Sequence, residues 1–357
     1  MHHTEKNPST IGIDLAKNIF HLHALDAEGN TLWTKAMGPQ NTLIFLEALS
    51  PCILGIEASG GSHHWHRMFT SLGHEVRMIA PQRARAFREG QKNDKNDAEA
   101  ISHAIMNRQT RFVAPKTLKQ QKLSSINAMR NLHIRQRTQT INHIRATFKE
   151  YGISYKKGAA YFENNVEEIL QEETKKKRLP IEVIQGLLAQ IVVLKCYKDT
   201  IKQLEKKILI LSEEEEECKR LKTVPGVGPV VSTMLSGHGG DVAHYETSKD
   251  FAASLGLVPR QYSTGGKQVY GRISKRGNLS LRANMIHGAR SVLAAANKKR
   301  KTGESSGNTL IDWGLQCYDR MGMNRASVAL ANKIARISWK ILKTPGEVFM
   351  PSMPQAA

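Results

Sequence analysis

Lys92 to Met106, KNDKNDAEAISHAIM, sets Asp94 and Asp97 three residues apart in a stretch that reads as a helix. Residues i and i+3 share a helix face, so both carboxylates point into one small volume. Two carboxylates held together away from water repel unless a cation or a proton lies between them. A divalent metal ion is the natural occupant. A solvated, charge-mixed helix start would carry the same pattern, so the pair alone decides nothing. Two earlier acids add to it: Asp14 closes IGID after Ile11 and Ile13, and Glu57 closes ILGIE after Ile53, Leu54 and Ile56. Carboxylates at strand ends plus a pair on a later helix are the hard oxygen set with which a sheet-based nuclease holds Mg²⁺ or Mn²⁺.

A second block carries the complementary chemistry. Between Phe251 and Gly303 there is no Asp or Glu, yet there are eleven lysines or arginines, among them Arg260, Lys267, Arg272, Lys275, Arg276 and Arg282. A surface of such one-sided charge repels itself unless it meets phosphate. Within it Ser263 and Thr264 precede Gly265-Gly266-Lys267, on a loop that glycine makes flexible enough for close backbone approach. A hydroxyl beside several cations either contacts phosphate or acts as a nucleophile of lowered pKa. Two further segments fit a phosphate-bearing partner. PQRARAFREGQK offers Arg83, Arg85 and Arg88 just before the DxxD helix, although a solvated basic helix would look the same. LKTVPGVGPVVSTML has the look of a helix-hairpin-helix element, in which Gly226 and Gly228 let backbone N–H groups approach a phosphate; a plain glycine turn competes.

The elements that must position these groups can be read from periodicity. Residues 11–25 predict two strands with a short turn, Thr31–Ala36 a third, Ile53–Ala58 a buried strand and His74–Ala80 another, interleaved with helices at Leu43–Leu49 and Ser62–Leu72. Strands alternating with helices predict an α/β domain with its functional residues at strand ends. From Leu118 to Gly152 the pattern is long and helical. A second helical block, Val166–Arg220, is interrupted by Pro180, and its Leu187, Ile191, Leu194, Ile201, Leu204, Ile208 and Leu211 approach a 3.5-residue repeat. That repeat fits either a coiled coil used for dimerisation or ordinary packing within the chain. The acidic run Glu213–Glu217 reads as a solvated helix surface. Trp313–Leu342 predicts basic helices, and a loose tail follows from Pro345.

Composition bounds the reading. At 357 residues and 40% hydrophobic content the chain is long enough for two or more domains with a real core. A net charge of +20 favours a polyanion such as DNA or RNA. Cys52, Cys196, Cys218 and Cys317 lie far apart without CxxC spacing, which argues against a zinc ribbon or a disulfide framework. No GxxxxGK[ST] occurs, so ATP-driven chemistry is not expected. No apolar run reaches about 18 residues and MHHTEKNPST lacks an apolar h-region, so neither a membrane span nor a secretion signal is expected. The chain is placed in the cytoplasm, on the nucleoid when bound to DNA.

These motifs converge on a known family. GIDLAK with Asp14, GIEASGG with Glu57 and KNDKNDAEAI with Asp94 and Asp97 resemble the DEDD signature of insertion-sequence transposases related to the Piv invertase. Their catalytic domain is RuvC-like, as in Holliday-junction resolvases. GLVPRQYSTGGK and GRISKRGNLSLR, after TVPGVGP, are similar to that family's C-terminal transposase domain. The resemblance covers roughly residues 10–340, and the ordered set is far more specific than any one motif.

It implies an α/β plus α architecture. An RNase H-like (RuvC-like) catalytic domain would span residues 1–115, a long helical or coiled-coil dimerisation linker 116–220, and a smaller, mostly helical C-terminal domain with the helix-hairpin-helix-like element 221–345, before a loose tail at 346–357. It further implies Mg²⁺ (or Mn²⁺) at Asp14, Glu57, Asp94 and Asp97, donor and target DNA as partners, a non-coding guide RNA made by the element itself, and a homodimer or homotetramer. A hydroxyl from the C-terminal domain would join the acids in a composite site. In the family that hydroxyl is a serine just before a glycine; here Thr264 holds that place and Ser263 stands one residue earlier, so both are candidates. The alternative is a metal-dependent, structure-specific endonuclease that uses water, with Ser263 and Thr264 only binding phosphate. A non-catalytic DNA- or RNA-binding protein is disfavoured by the presence of all four acids.

Overall fold

The computed structural model describes residues 7–156, 158–238 and 242–351, and the chain divides into two compact units, 1–118 with 239–244 and 119–238 with 245–357.

Unit 1 is built on a six-stranded sheet. Its strands are β1 (Thr10–Leu15), β2 (Phe20–Leu25), β3 (Thr31–Met37), β4 (Ile53–Glu57), β5 (Glu75–Ile79) and the two-residue β6 (Phe112–Val113), in the spatial order β3-β2-β1-β4-β5-β6. The first three form an antiparallel meander; β4 and β5 run parallel to β1, and β6 closes the far edge antiparallel. Helices α1 (Pro39–Glu47) and α2 (Ser62–Ser71) make the crossovers between the parallel strands. This mixed sheet with helices is consistent with an RNase H-like domain.

Strand parity decides what each face carries. Ile11 and Ile13 of β1, Phe20, Leu22 and Ala24 of β2, Leu54 and Ile56 of β4 and Met78 of β5 point to one face, where Leu46 of α1 and Phe69 of α2 complete a buried core. The opposite face of β1 and β4 presents Gly12, Asp14, Gly55 and Glu57, with Gly12 opposite Gly55 in the parallel register. Short helix α3 (Pro81–Ala84) and a 3₁₀ turn, Arg85–Phe87, lead to α4 (Asp94–Met106), which lies on that second face.

Two glycines let α4 come that close. A Cβ at Gly12 would stand 2.2 Å from the Ala98 carbonyl oxygen and 2.4 Å from the Ser102 amide nitrogen. One at Gly55 would stand 2.5 Å from Ile105 Cδ1. Beneath α4, His23 Nδ1 lies 2.8 Å from Ser102 Oγ and its Nε2 3.2 Å from Thr31 Oγ1. Because Ser102 spends its own proton on the Glu99 carbonyl, the imidazole is assigned as the Nδ1–H donor, with Nε2 accepting from Thr31. Burial holds the His23 pKa below its ordinary value and keeps the ring neutral there.

Unit 2 is mostly helical. Its elements are α5 (Leu118–Glu150), α6 (Ala159–Lys175), α7 (Ile181–Glu214), α8 (Glu216–Leu221), α9 (Pro229–Ser236), α10 (Ser248–Ser254), the hairpin β7 (Pro259–Thr264) and β8 (Lys267–Ile273), α11 (Leu279–Lys301) and α12 (Thr309–Lys343), which kinks at Gly322. The near-heptad stripe of α7 is filled from within the chain. Leu187, Ile191 and Leu194 share a core with Ile141, Ile144 and Phe148 of α5 and Phe162, Val166 and Leu170 of α6. Of the two readings of that stripe, ordinary packing holds for these positions. Three differences from expectation stand out here. The acidic run is not a plain solvated surface, because Glu215 takes Lys119 at 2.9 Å and Lys122 at 3.0 Å, and Glu217 accepts from Ser236. Residues 259–273 form a β-hairpin. The segment after α12 is tied down rather than loose: Arg220 Nη1 donates to the carbonyls of Ile341, Thr344 and Glu347, and the Phe349 amide donates to Thr223 Oγ1. Residues 352–357 of the expected tail lie outside the described residues.

Among the described residues no helix is long and apolar enough to cross a membrane, and all four cysteines are free thiols.

Candidate active site

The acids of unit 1 are placed by the sheet and by α4 together. Asp14 sits opposite His21 in the β1–β2 register, and Glu57 ends β4, one step beyond the Ile13–Ile56 pair. Both lie at the C-terminal ends of their strands on the α4 side. Asp94 is four helical residues, about 6 Å, before Ala98, which rests over Gly12; Asp14 is two strand residues, about 6.6 Å, beyond Gly12. Helix and strand therefore deliver their carboxylates to the same end of the sheet. The start of α4 is fixed by Asn93, whose side chain caps the Asn96 amide at 2.8 Å, and by Asn96 Nδ2, which holds the carbonyls of Glu89 and Gln91.

The electrostatics show that Asp14 feels the other three acids. Asp14 is pushed up to about 6, first by burial and then by the charges of Asp94, Asp97 and Glu57, with His21 opposing. His21 Nε2 lies 3.8 Å from Asp94 Oδ2. Arg88 Nη1 donates to Asp97 Oδ1 at 2.9 Å, with both side chains only about a fifth exposed, 21% and 19%. His21 was not legible as a site residue, since its place beside Asp14 exists only once β1 and β2 pair. Arg88, expected to contact phosphate, instead neutralises a member of the acid cluster; Arg83 and Arg85 are exposed.

Whether these residues suit a divalent ion can be tested on what they are. The donors are all carboxylate oxygens, the set a hard cation prefers. Asp14 is destabilised as an anion by its neighbours, and a cation would relieve that. As they stand, no three His, Cys, Asp or Glu side chains among the described residues lie close enough to hold an ion. Closing a cage around an ion would require side-chain rotation, and Arg88 already holds Asp97 Oδ1. The donor chemistry fits; the closed cage is not preformed.

In unit 2, Ser263 and Thr264 end β7, and Gly265 and Gly266 make the turn with φ of +55° and +79°. Positive φ at both central residues is the type I′ turn of a two-residue hairpin, so the expected flexible loop is a tight, defined turn. Ser263 pairs with Gln268 and Thr264 with Lys267. Because neighbours on a strand point to opposite faces, the two hydroxyls look in opposite directions. Ser263 shares its face with Gln261, Gln268 and Tyr270, and Gln261 Nε2 donates to Ser263 Oγ at 2.8 Å. Thr264 shares its face with Tyr262, Lys267 and Val269. An amide donor on Oγ strengthens as that oxygen gains negative charge; a lysine directly across the ladder offers similar help to Thr264.

Arg260, Lys267, Arg272, Lys275 and Arg276 are exposed on or just after this hairpin. Arg282 departs from the expectation of a phosphate contact. It is 5% exposed and its Nη1 donates to the carbonyls of Leu255 at 3.0 Å and Arg276 at 2.8 Å. Its work is to pin the loop carrying Lys275 and Arg276 against the end of α10, where Gly256 and Gly277 allow backbone contact. Arg282→Met is accordingly expected to lower stability by about 2 kcal/mol while leaving the slope of log K against log salt for DNA binding unchanged, measured by thermal unfolding and by salt titration. A slope reduced by about one would mark a phosphate contact after all. The Gly226 turn likewise serves packing. The Gly226 carbonyl oxygen would lie 2.1 Å from a Cβ at Gly288 of α11, so the close backbone approach is to a helix. Gly228 remains open at the start of α9.

Comparisons with known proteins follow this geometry. A transposase model of the DEDD IS110 type matches residues 11–153, and one described as Transposase IS116/IS110/IS902 family matches 218–338. The chain is 36% identical over 345 residues to the transposase for insertion sequence element IS1328 of Yersinia enterocolitica, covering 96% of this chain and 99% of that protein. It is 34% identical over 342 residues to the transposase for IS1111A of Coxiella burnetii, covering 94% and 90%. It is 37% identical over 350 residues to the putative transposase y4pF/y4sB of Sinorhizobium fredii, covering 97% and 87%.

Proposed function

Because this chain belongs to the IS110/IS116 family of DEDD insertion-sequence transposases, we propose that it cuts and rejoins donor and target DNA through a protein-linked intermediate formed on Ser263 or Thr264. A member of this family is a DNA-cleaving and rejoining enzyme, and DEDD enzymes use a divalent metal. The observation that supports the finer reading is the placement of Asp14 and Glu57 at two adjacent strand ends beside the start of α4, where burial and then the charges of Asp94, Asp97 and Glu57 raise the Asp14 pKa. Those four residues would hold Mg²⁺. When bound, the ion would polarise the scissile phosphate and steady the entering and leaving oxygens.

The chain's own groups do the rest. The hydroxyl oxygen of Ser263 or Thr264 forms a bond to phosphorus, the bond from phosphorus to one deoxyribose oxygen breaks, and the proton lost by the hydroxyl is balanced by one gained at the leaving oxygen. One phosphodiester replaces another, so the linkage energy is kept and the strand can be resealed without ATP. Exposed Arg260, Lys267, Arg272 and Arg276 would offset the charge that grows on the phosphoryl oxygens. Selection of sites is assigned to an element-encoded guide RNA. The surplus of +20 leaves charge for a second polyanion, and contacts to phosphate carry no base information. Assembly as a homodimer or homotetramer is supported by Ile181, Leu188 and Val192 of α7, which remain exposed beside the filled stripe. The order of the acid motifs is the ground for kinship with the Piv invertase.

The test is denaturing electrophoresis of the full chain with labelled donor and target DNA, guide RNA and Mg²⁺. A covalent adduct is expected, lost in either Ser263→Ala or Thr264→Val and lost in the double variant. Cleavage that survives the double variant without an adduct would make water the nucleophile, and an adduct that survives it would overturn both assignments.

A further inference from the structure

The β7–β8 hairpin has a face that the hydroxyl chemistry does not use. Tyr262 and Val269 are directly paired across the ladder and are 59% and 56% exposed. A Cβ at Gly271 would stand 3.2 Å from Tyr262 Cε2, so glycine at that position leaves room for the ring to lie along β8. One side of the ring is backed by the strand and the other faces solvent. An aromatic and a β-branched side chain left in water have a driving force for burial.

Charge selects what buries them. The same ribbon carries Arg260, Lys267 and Arg272, and no acidic residue lies between positions 251 and 303. A second copy of this surface would be repelled, whereas a polyanion would not. The shape favours DNA over structured RNA. A two-stranded ribbon fits the major groove of B-form DNA, while the major groove of A-form RNA is too narrow for side chains to read. The position adds the last step. Tyr262 immediately precedes Ser263 and Thr264, and bases beside a strand cut must part before strands can be exchanged.

We infer that the hairpin enters DNA with its Tyr262–Val269 face inward and that Tyr262 stacks on a base that has lost its partner next to the reacting phosphate. The inference rests on the reading of the chain as a strand-exchanging transposase. Stacking of this kind tolerates any base, because each has a π-face; the hairpin would therefore favour unpaired DNA without selecting its sequence.

The test compares binding of the full chain to two labelled DNA probes, a fully paired duplex and the same duplex with a short central mismatch. The unmodified protein is expected to prefer the mismatch. Tyr262→Ala should weaken binding to the mismatched probe roughly ten- to hundredfold and to the paired one by less than about threefold. Tyr262→Trp should restore the preference, and Tyr270→Ala, on the opposite face, should leave it intact. Arg260→Ala with Lys267→Ala should weaken both probes alike and lower the salt slope by about two. Equal loss on both probes in Tyr262→Ala, no loss on either, failure of tryptophan to rescue, or a stronger preference for a mismatched RNA duplex would each overturn the inference alone. If the unmodified protein binds neither DNA probe, the reading of the chain as a DNA-acting enzyme falls and this one falls with it.

Discussion

Asp14→Asn is expected to abolish strand cleavage and, in the presence of a chelator, to make the chain harder to unfold above pH 6. The two effects have one origin. In the folded chain the Asp14 pKa is raised from 3.8 to about 6, by burial first and then by Asp94, Asp97 and Glu57. A carboxyl whose folded pKa lies above its unfolded value binds its proton more tightly when folded. Its favourable contribution is complete below about pH 4, is lost as pH rises through 6, and above 6 the ionised group is a net cost. Asparagine never ionises, so the advantage of the variant should grow between pH 4 and 6 and stay level beyond. The full shift would correspond to about 3 kcal/mol; Asp14 keeps partial access to water, which screens it, so about 1–2 kcal/mol is the expected gain. Adding Mg²⁺ or Mn²⁺ should stabilise the unmodified protein and not the variant. Cleavage should fall by about a thousandfold or more, the scale of losing a charge-stabilising group at a phosphoryl site. Equal urea stability of the two proteins at pH 8 in chelator would show that the acids do not converge.

Gly12→Ala should remove activity without altering any acidic residue. The new methyl would meet the backbone of Ala98 and Ser102 at 2.2 and 2.4 Å, and neither can turn aside as a side chain would. Helix α4 must lift, which costs about 3–5 kcal/mol and carries Asp94 and Asp97 away from Asp14 and Glu57. Gly55→Ala is the informative contrast. Its methyl meets the ends of Ile105 and Ile101, so adding Ile105→Val should recover part of the lost stability there, whereas no side-chain trimming should rescue Gly12→Ala. Thermal unfolding by circular dichroism reads both. A Gly12→Ala protein that melts within a few degrees of the unmodified one would mean that α4 does not press on β1.

Much of unit 1 was legible because its signals are local. Apolar alternation in IGID and ILGIE marks strands, and the acid closing each run marks the strand end. What escaped depends on partners distant in the chain. Gly12 and Gly55 read as ordinary strand residues until α4 covers them. His21 becomes a neighbour of the acids only through its register with Asp14, and Arg88 looks like a phosphate contact until Asp97 is beside it. In unit 2 the charge of residues 251–303 drew the reading, although Gly265-Gly266 between Tyr262 and Val269 is itself a hairpin signal. Arg282 falls in a basic run like any surface arginine, and only its burial reveals a structural role. The α7 stripe fits dimer and monomer equally, since a repeat states that a face is buried without saying against whom.

Arg220 has a consequence for the order in which the protein becomes whole. Its guanidinium is 7% exposed and gathers acceptors from Ile341, Thr344 and Glu347, 121 to 127 residues further along the chain. The strands of the acid-bearing sheet are complete once Val113 has emerged, so that sheet can be assembled early. Its companion must wait. A chain cut before Ile341 would keep the acid-bearing strands and strip the Arg220 guanidinium of these oxygens, a defect that favours unfolding of the second unit.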